Sequence, residues 1–474
     1  MLDPQTCYLA LKARDPRFDG RLFVGITSTG IYCRPVCPAP SAKFAHCRFF
    51  PSAAAAQEVG FRPCLRCRPE VVAELGSWLG TSNTVSRALA LISEGQLDEA
   101  DLESFAERLG VGGRQLRRLF DQHLGASPVA VAQTRRVLFA KQLIHETRLP
   151  MAQVALAAGF GSVRRFNELF LQLFKRPPSA LRRATQRADS TAGVTMRLRY
   201  RHPYDWEAML GYLRARAVEG VEVVARDGYT RTVRHEGEAG TIHVTHVEEA
   251  QSLAVTIQFP RVRSLAAIVA RVRQVFDLDA DVKSIAGHLA RDPFLAKLIS
   301  ARPGLRSPGA WDGFELAVRA ILGQQVTVEA GRQLAGKLVV ACGARFGDSL
   351  LFPSPAEVVD ADSSSLGMPR ARKSALVSMA KAALAEPGLF EPLGTVEETV
   401  ARLRAIPGVG DWTAQYIALR ASREPDAFPS SDVALLRGAT RSGGKRPSPA
   451  QLLTRAERWR PWRAYAAQHL WAAI

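Results

Sequence analysis

Cysteine is scarce in this chain, seven among 474 residues. That is too few for a disulfide-knit scaffold of this length. Long apolar runs are missing too, since no uninterrupted stretch approaches the roughly 18 residues that a membrane helix needs. The opening "MLDPQTCYLALKARD" has no basic head followed by an apolar run. A secretory signal is therefore not expected, a cytoplasmic and reducing location is, and no membrane partner is called for. Acidic residues are in deficit, 45 Asp and Glu against 63 Lys and Arg, for a formal net charge of +18. An excess spread over a whole chain favours nucleic acid over a lipid-binding basic tail. With 47% hydrophobic and 23% charged residues the composition is that of globular protein, and the length suits two to four domains.

The few cysteines are placed. "GIYCRPVCPAP" and "GFRPCLRCRP" give Cys33, Cys37, Cys64 and Cys67 in a CxxxC…CxxC pattern. Such a set can be a disulfide, a redox pair or a metal site, and in a reducing compartment metal is favoured. Thiolate is a soft ligand that suits zinc at about 2.3 Å, and four of them close a tetrahedral site. The block around them, residues 1–79, mixes strand-like "RLFVGITST" with helix-like "PSAAAAQEVGF" and is small enough to need a metal's help. Cys7 and Cys47 read as ordinary thiols.

From residue 85 to 183 the pattern turns helical. In "DLESFAERLGVGGRQLRRLFDQHLG", Leu102, Phe105, Ala106 and Leu109 recur at helical spacing, "GVGG" turns the chain, and Leu116, Leu119 and Phe120 resume the period. "PMAQVALAAGFGSVRRFNELFLQLF" repeats the arrangement, and "VAVAQTRRVLFAKQLIHE" supplies a connecting helix. Residues 184–195 are small, polar and arginine-rich and read as a linker. Short alternating runs then predict a small antiparallel sheet with helices within 196–305, and helices dominate 306–474.

These motifs carry resemblances. "STGIYCRP" followed by "FRPCLRC" resembles the N-terminal domain of the Ada adaptive-response proteins. The resemblance implies one Zn2+ on the four cysteines and makes Cys33 a thiolate that accepts a methyl group from a methylphosphotriester in DNA. Arg34, Arg62, Arg66 and Arg68 are then expected to hold the DNA backbone. The two helix-turn-helix units resemble the AraC-type DNA-binding domain. Arg114, Gln115, Arg117 and Arg118 in the first unit, with Ser162, Arg164, Arg165 and Asn167 in the second, are expected to reach bases or phosphates.

"LRAIPGVGDWTAQYIALR" followed by "DAFPSSDVAL" resembles the helix-hairpin-helix DNA glycosylases, specifically the AlkA-type 3-methyladenine glycosylases, and the similarity runs from about Met196 to the C-terminus. Gly408 and Gly410 let the backbone approach a phosphate. By the match, Asp432 is the catalytic carboxylate, and Trp412, Tyr416 and Trp471 line the base pocket, where electron-rich rings favour a cationic base. Gln324 and Gln325 belong to the substrate side; Gln325 stands where the family carries a leucine wedge. Trp412 occupies the place of the lysine nucleophile of bifunctional relatives, so a monofunctional enzyme that leaves an abasic site is expected. No iron–sulfur cluster is expected, Cys342 being alone in this half, and the hairpin could take a monovalent cation. No "PCHRV" motif is present, so repair of O6-alkylguanine is not expected.

The fold expected is multidomain α+β, mostly α: a zinc domain, an AraC-type tandem helix-turn-helix, a small antiparallel sheet domain and a helical glycosylase domain. The function expected joins base excision to a methyl-sensing regulator whose partners are double-stranded DNA and RNA polymerase. The alternative is a regulator whose glycosylase-like half is an inactive DNA clamp.

Overall fold

The structure, a computed structural model, describes residues 3–71, 83–98, 100–182, 193–361, 367–392, 394–440 and 444–474. Two compact units form, one from Met1–Tyr200 with Ser252–Ala270, the other from Arg201–Gln251 with Arg271–Ile474. The linker read at 184–195 lies outside the described residues up to 192, and its last two residues begin a strand.

In the first unit, strands β1 (Phe23–Ile26), β2 (Ile31–Cys33), β3 (Cys47–Phe50) and β4 (Arg62–Pro63) lie in the order β3-β1-β2-β4. β1 is antiparallel to β2 and β3, and β4 runs parallel to β2 with Pro63 opposite Tyr32. Helix α1 (Ala53–Glu58) is capped by Ser52, whose Oγ accepts from the Ala55 amide at 3.0 Å. Its four alanines are all buried, and side chains that small let a helix lie close to a sheet.

The helical block consists of a helix at Asn83–Ser93 and then α2 (Leu102–Arg108), α3 (Gly113–Leu124), α4 (Pro128–Glu146), α5 (Met151–Ala157) and α6 (Val163–Phe174). Asp101, Ser127 and Ser162 cap α2, α4 and α6. Between α2 and α3 the chain turns tightly enough that a Cβ on Gly113 would sit 2.2 Å from the Glu103 carboxylate, which accepts the Gly113 amide at 3.0 Å. α2–α3 and α5–α6 are the two helix-turn-helix units, with α4 between them. Leu116, Phe120 and Leu124 of α3 and Phe166, Phe170 and Phe174 of α6 face inward at helical spacing, while the opposite faces are exposed.

Sheet and helices share a core. Tyr32, Phe50 and Phe61 pack in one cluster with Phe105, Leu116 and Phe120, so blocks that the sequence separates form one body. A buried ion pair crosses the junction as well. Lys141 of α4 is fully buried, its Nζ lies 2.5 Å from Glu70 Oε2, and it donates to the Cys64 carbonyl at 2.9 Å. Arg68 joins the chain, bonding Glu70 at 3.1 Å and Glu146 at 2.6 Å. Strand β5 (Val194–Arg199) pairs antiparallel with Ser252–Gln258 in the same unit.

The second unit contains α7 (Trp206–Arg216) and an antiparallel meander of β6 (Glu222–Val224), β7 (Gly228–His235) and β8 (Glu238–Val247). Its helical part is built on α8 (Gly313–Leu322), almost wholly buried, against which α9 (Arg370–Ala385) and α11 (Asp411–Arg420) pack. α10 (Val396–Arg404) precedes α11 across a short hairpin, and α12 (Val433–Gly438) and α13 (Arg463–Trp471) follow. Charge inside this unit is neutralised locally. Arg319 meets Glu222 at 2.6 Å and Glu315 at 2.5 Å, and Arg231 meets Glu315 at 2.7 Å. Burial would raise the Glu222 carboxyl, but these arginines outweigh it and hold it at about 2.

Candidate functional sites

The sheet brings the four expected cysteines together. Cys33 ends β2, Cys37 follows it by one turn, and Cys64 and Cys67 lie in the loop after β4, the strand paired with β2. All four Sγ atoms lie within 4.8 Å of one another. A tetrahedron of thiolates at the usual zinc–sulfur distance of about 2.3 Å needs sulfurs roughly 3.8 Å apart, so the set fits one zinc ion. The Arg34 amide points at Cys67 Sγ (3.4 Å) and the Arg66 amide at Cys64 Sγ (3.3 Å), as backbone donors do around thiolates. With no counter-charge, contacts with Cys37, Cys64 and Cys67, together with burial, push the Cys33 thiol far above its ordinary value. Only a cation among them lets the four ionise together. Cys33 is the most open of the set, at 9% exposure against 5–6% for the others.

Two of the four arginines expected on the DNA backbone have partners inside the protein. Arg34 is buried, forks onto Asp19 and donates to the Cys67 carbonyl at 2.9 Å. Arg68 is bound to Glu70 and Glu146. Spacing showed four arginines near the thiols but not the carboxylates that meet two of them. Arg66 is exposed and Arg62 half-buried, and no carboxylate among the described residues pairs with either.

On the helix-turn-helix units the residues singled out in the sequence lie at the surface. Arg114, Gln115, Arg117 and Arg118 are all exposed on α3, and Ser162, Arg164, Arg165 and Asn167 are exposed at and on α6. Arg117 pairs with Glu103 and Arg164 with Glu168, both at the surface, where such pairs contribute about 0–1 kcal/mol and give way readily to phosphate.

In the second unit the hairpin "IPGVG" joins α10 to α11. Gly408 has φ +87°, and a Cβ there would meet Ala375 Cβ at 2.3 Å, so only glycine fits. Gly410 has an ordinary φ of −81° and open space around it, which leaves the start of α11 uncovered. Gln324 braces the hairpin, donating to the Gly408 carbonyl at 3.2 Å and to Thr413 Oγ1 at 3.0 Å, while Arg372 holds the Gln324 carbonyl at 2.6 Å. Its contacts are internal to the protein. Gln325 is exposed, with φ +56°, on the loop so pinned.

Asp432 caps α12, its Oδ1 accepting from the Leu435 amide at 2.8 Å. The indole of Trp412 donates to Oδ2 at 2.7 Å and that of Trp471 to Oδ1 at 3.0 Å. The expected carboxylate and two of the expected aromatics are therefore one hydrogen-bonded group. Trp412 and Tyr416 stack on each other with centroids 5.4 Å apart, leaving no room for a base between those two faces; Tyr416 meets Trp471 edge-on at 6.2 Å.

Three further residues complete this cluster. Arg420, buried, lies 5.7 Å from the Tyr416 centroid, 5.1 Å from that of Trp471 and 4.8 Å from that of Tyr212. It is fixed by the Pro308 carbonyl and Gln468 Oε1, both at 2.8 Å. Arg216 lies 4.1 Å over the Tyr212 ring. Burial would raise the Tyr416 phenol, but Arg216 and Arg420 outweigh it and bring it below its ordinary value, whereas burial leaves Tyr212 above its own. The signal that could have found Tyr212 and Arg216 is their i, i+4 spacing in "MLGYLRAR", which puts both on one helix face.

Comparison with known proteins covers nearly the whole chain. Residues 6–70 match the metal binding domain of Ada, 105–184 a helix-turn-helix domain, 195–312 the AlkA N-terminal domain, and 318–464 the HhH-GPD superfamily of base excision DNA repair proteins. A Mycobacterium tuberculosis protein named as a probable bifunctional transcriptional activator/DNA repair enzyme AlkA is 40% identical over 100% of this chain and 97% of its own length. Escherichia coli DNA-3-methyladenine glycosylase 2 is 37% identical over 58% of this chain and 95% of its own. Among solved structures, a 3-methyladenine DNA-glycosylase from Archaeoglobus fulgidus superposes with a TM-score of 0.53 at 22% identity, over 58% of this chain and 97% of that one, a likeness of fold.

Proposed function

The chain belongs to the family of bifunctional transcriptional activator/DNA repair enzymes of the AlkA kind, and from that membership we propose that one polypeptide senses methylated DNA, regulates transcription and excises alkylated bases. The observation that carries the enzymatic half is Asp432 held by two indoles and a backbone amide beside an electron-rich ring cluster.

In this reading the second unit is a DNA-3-methyladenine glycosylase acting by hydrolysis. The amides around Gly408 and Gly410 take a DNA phosphate at the hairpin, and Gln325 fills the gap left by the flipped nucleotide. The base rests against the cluster of Trp412, Tyr416 and Trp471. An N-alkylated purine already carries positive charge and leaves readily, so the protein's task is the sugar. As the C1′–N bond breaks, its electron pair goes to the base, and the Asp432 carboxylate faces the cationic sugar. Water adds to C1′, its proton passes to solvent, and an abasic site remains. Trp412 has no amine with which to form a Schiff base, so no lyase step follows.

At the other end of the chain, zinc, when bound, keeps the four cysteines as thiolates. Cys33 Sγ takes the methyl group, forming an S–C bond as the phosphotriester C–O bond breaks and a phosphate anion is restored. One thiolate charge is lost beside DNA, and Arg62 and Arg66 hold neighbouring phosphates more strongly in consequence. The exposed faces of α3 and α6 then read adjacent major-groove segments of a promoter, RNA polymerase is the further partner, and the protein works in the cytoplasm.

Release of 3-methyladenine and 7-methylguanine from methylated duplex is the direct test of the enzyme. We expect wild type to release both and Asp432→Asn to slow release at least a hundredfold, the scale of losing one charge-stabilising group at a reacting centre. A folded wild type that releases neither base would leave an inactive DNA clamp as the reading. For the switch, a mass gain of one methyl on the peptide containing Cys33, after incubation with methylphosphotriester DNA, is expected and should vanish in Cys33→Ala.

A further inference from the structure

The four-cysteine site does not end at its ligands. The Cys64 carbonyl accepts from Lys141 Nζ at 2.9 Å, and that ammonium lies 2.5 Å from Glu70 Oε2, both side chains being fully buried. The other Glu70 oxygen takes Arg68 Nε at 3.1 Å, and the same guanidinium reaches Glu146 Oε1 at 2.6 Å. Arg68 follows Cys67 directly and has φ +51°, a left-handed backbone that surrounding contacts have to hold. Glu146 closes the chain of bonds as the last residue of α4. Its second oxygen accepts the Arg197 amide of β5 at 3.0 Å. Gln142, one turn earlier, donates to that oxygen at 3.1 Å and to the Arg197 carbonyl at 3.0 Å.

These last bonds fall on a definite edge of β5. The strand pairs antiparallel with Ser252–Gln258, Arg197 facing Ala254. In such a pair a residue turns its N–H and C=O to the same side. Both main-chain groups of Arg197 go to α4, so two side chains of a helix close this edge in place of a neighbouring strand. The strand opens the region that matches the AlkA N-terminal domain, while the residues that hold it belong to the helix between the DNA-binding units. From Cys64 to Arg197 every link has a charged partner. Lys141 and Glu70 are fully buried and Glu146 largely so. Away from water such bonds are strong and an abandoned partner is costly, so the members of the chain hold or let go together.

We propose that zinc binding and the seating of β5 are coupled through Lys141, Glu70, Arg68 and Glu146, so that the state of the metal centre governs how firmly the strand that opens the AlkA-type half is held. The loop that carries Cys64 and Cys67 is fixed when its thiolates are bound to zinc, and Lys141 and Arg68 take their places from it. With the loop freed, Arg68 leaves its left-handed turn and Glu146 loses the cation that orients its carboxylate toward Arg197. Linkage is reciprocal, so cutting the chain at Glu146 weakens the hold on zinc by the same factor. The proposal rests on the zinc assignment, and on the function proposed above it ties the methyl sensor to the half that excises bases.

The test is hydrogen exchange of the full chain, read by mass spectrometry, with metal content measured beforehand. In wild type, stripping zinc with a chelator is expected to quicken exchange of the peptide spanning β5 about tenfold, within the range typical of coupled sites. Because loss of metal by itself loosens a small domain, Glu146→Ala decides. In that variant β5 should exchange fast with or without zinc, while α1 keeps its wild-type dependence on the metal. Arg68→Met, which leaves Glu146 on Arg197, should likewise free β5 from zinc. Both variants should lose zinc to a chromogenic chelator about tenfold faster than wild type. Exchange of β5 that ignores zinc in wild type, a zinc dependence that survives in Glu146→Ala, or unchanged zinc release in both variants overturns the coupling. A folded wild type that holds no zinc overturns the metal assignment and the coupling together, and the metal content tells that outcome apart. Neither assay needs base excision or methyl transfer, so failure of those activities is distinguished from failure of the coupling.

Discussion

Replacing Lys141 by methionine should loosen the metal centre from a position on α4, the helix between the two helix-turn-helix units. The ammonium is fully buried, lies 2.5 Å from an equally buried Glu70 carboxylate, and donates to the carbonyl of Cys64, one of the four thiol ligands. Methionine fills most of the volume but abandons both acceptors. Breaking one partner of a buried ion pair typically costs about 3–5 kcal/mol. Glu70 keeps Arg68 at 3.1 Å, so the lower end, about 3 kcal/mol, is expected here. Urea denaturation of the zinc-loaded full chain, followed by circular dichroism, reads that loss, and release of zinc to a chromogenic chelator should quicken in parallel. The double variant Lys141→Met with Glu70→Gln tests the reasoning, because it removes the stranded charge and should recover most of the stability. A loss under about 1 kcal/mol in the single variant, or no recovery in the double, would show that the pair does not hold the two blocks together.

Two other outcomes follow from the second unit. His469 is buried two residues before Trp471, and burial depresses its pKa from 6.5 to about 4. Between those values the unfolded chain binds a proton that the folded one refuses, so stability is complete above pH 6.5 and falls by about 3 kcal/mol as pH drops to 4. Melting curves across that range should slope in wild type and flatten in His469→Gln; parallel curves would refute the assignment. Gly408→Ala forces a side chain into a left-handed backbone and against Ala375, which should cost about 2 kcal/mol or more and weaken binding to undamaged duplex; unchanged affinity in a gel-shift titration would mean that the hairpin does not carry the phosphate contact.

Local pattern made much of this protein legible from the sequence. The CxxxC…CxxC spacing named four ligands that the sheet then brings within 4.8 Å, because β2 and β4 are neighbours and each delivers one pair. Helical periodicity broken by glycine turns placed both helix-turn-helix units and their exposed arginines, since a 3.6-residue period fixes which face is wet. The hairpin and the aspartate downstream marked the other site because glycine, proline and a capping carboxylate act over a few residues.

Tertiary structure alone decided what meets across long separations. Arg34 and Arg68 are met by Asp19, Glu70 and Glu146, partners that no spacing announces. Lys141 reaches Cys64 across 77 residues, and Tyr212 reaches Tyr416 across 204. The sequence by itself determined the elements and the chemistry of each motif, for these depend on neighbours a few residues away. Which charges are neutralised, which blocks share a core and which rings surround Asp432 depend on packing between distant segments, and only the folded chain decides them.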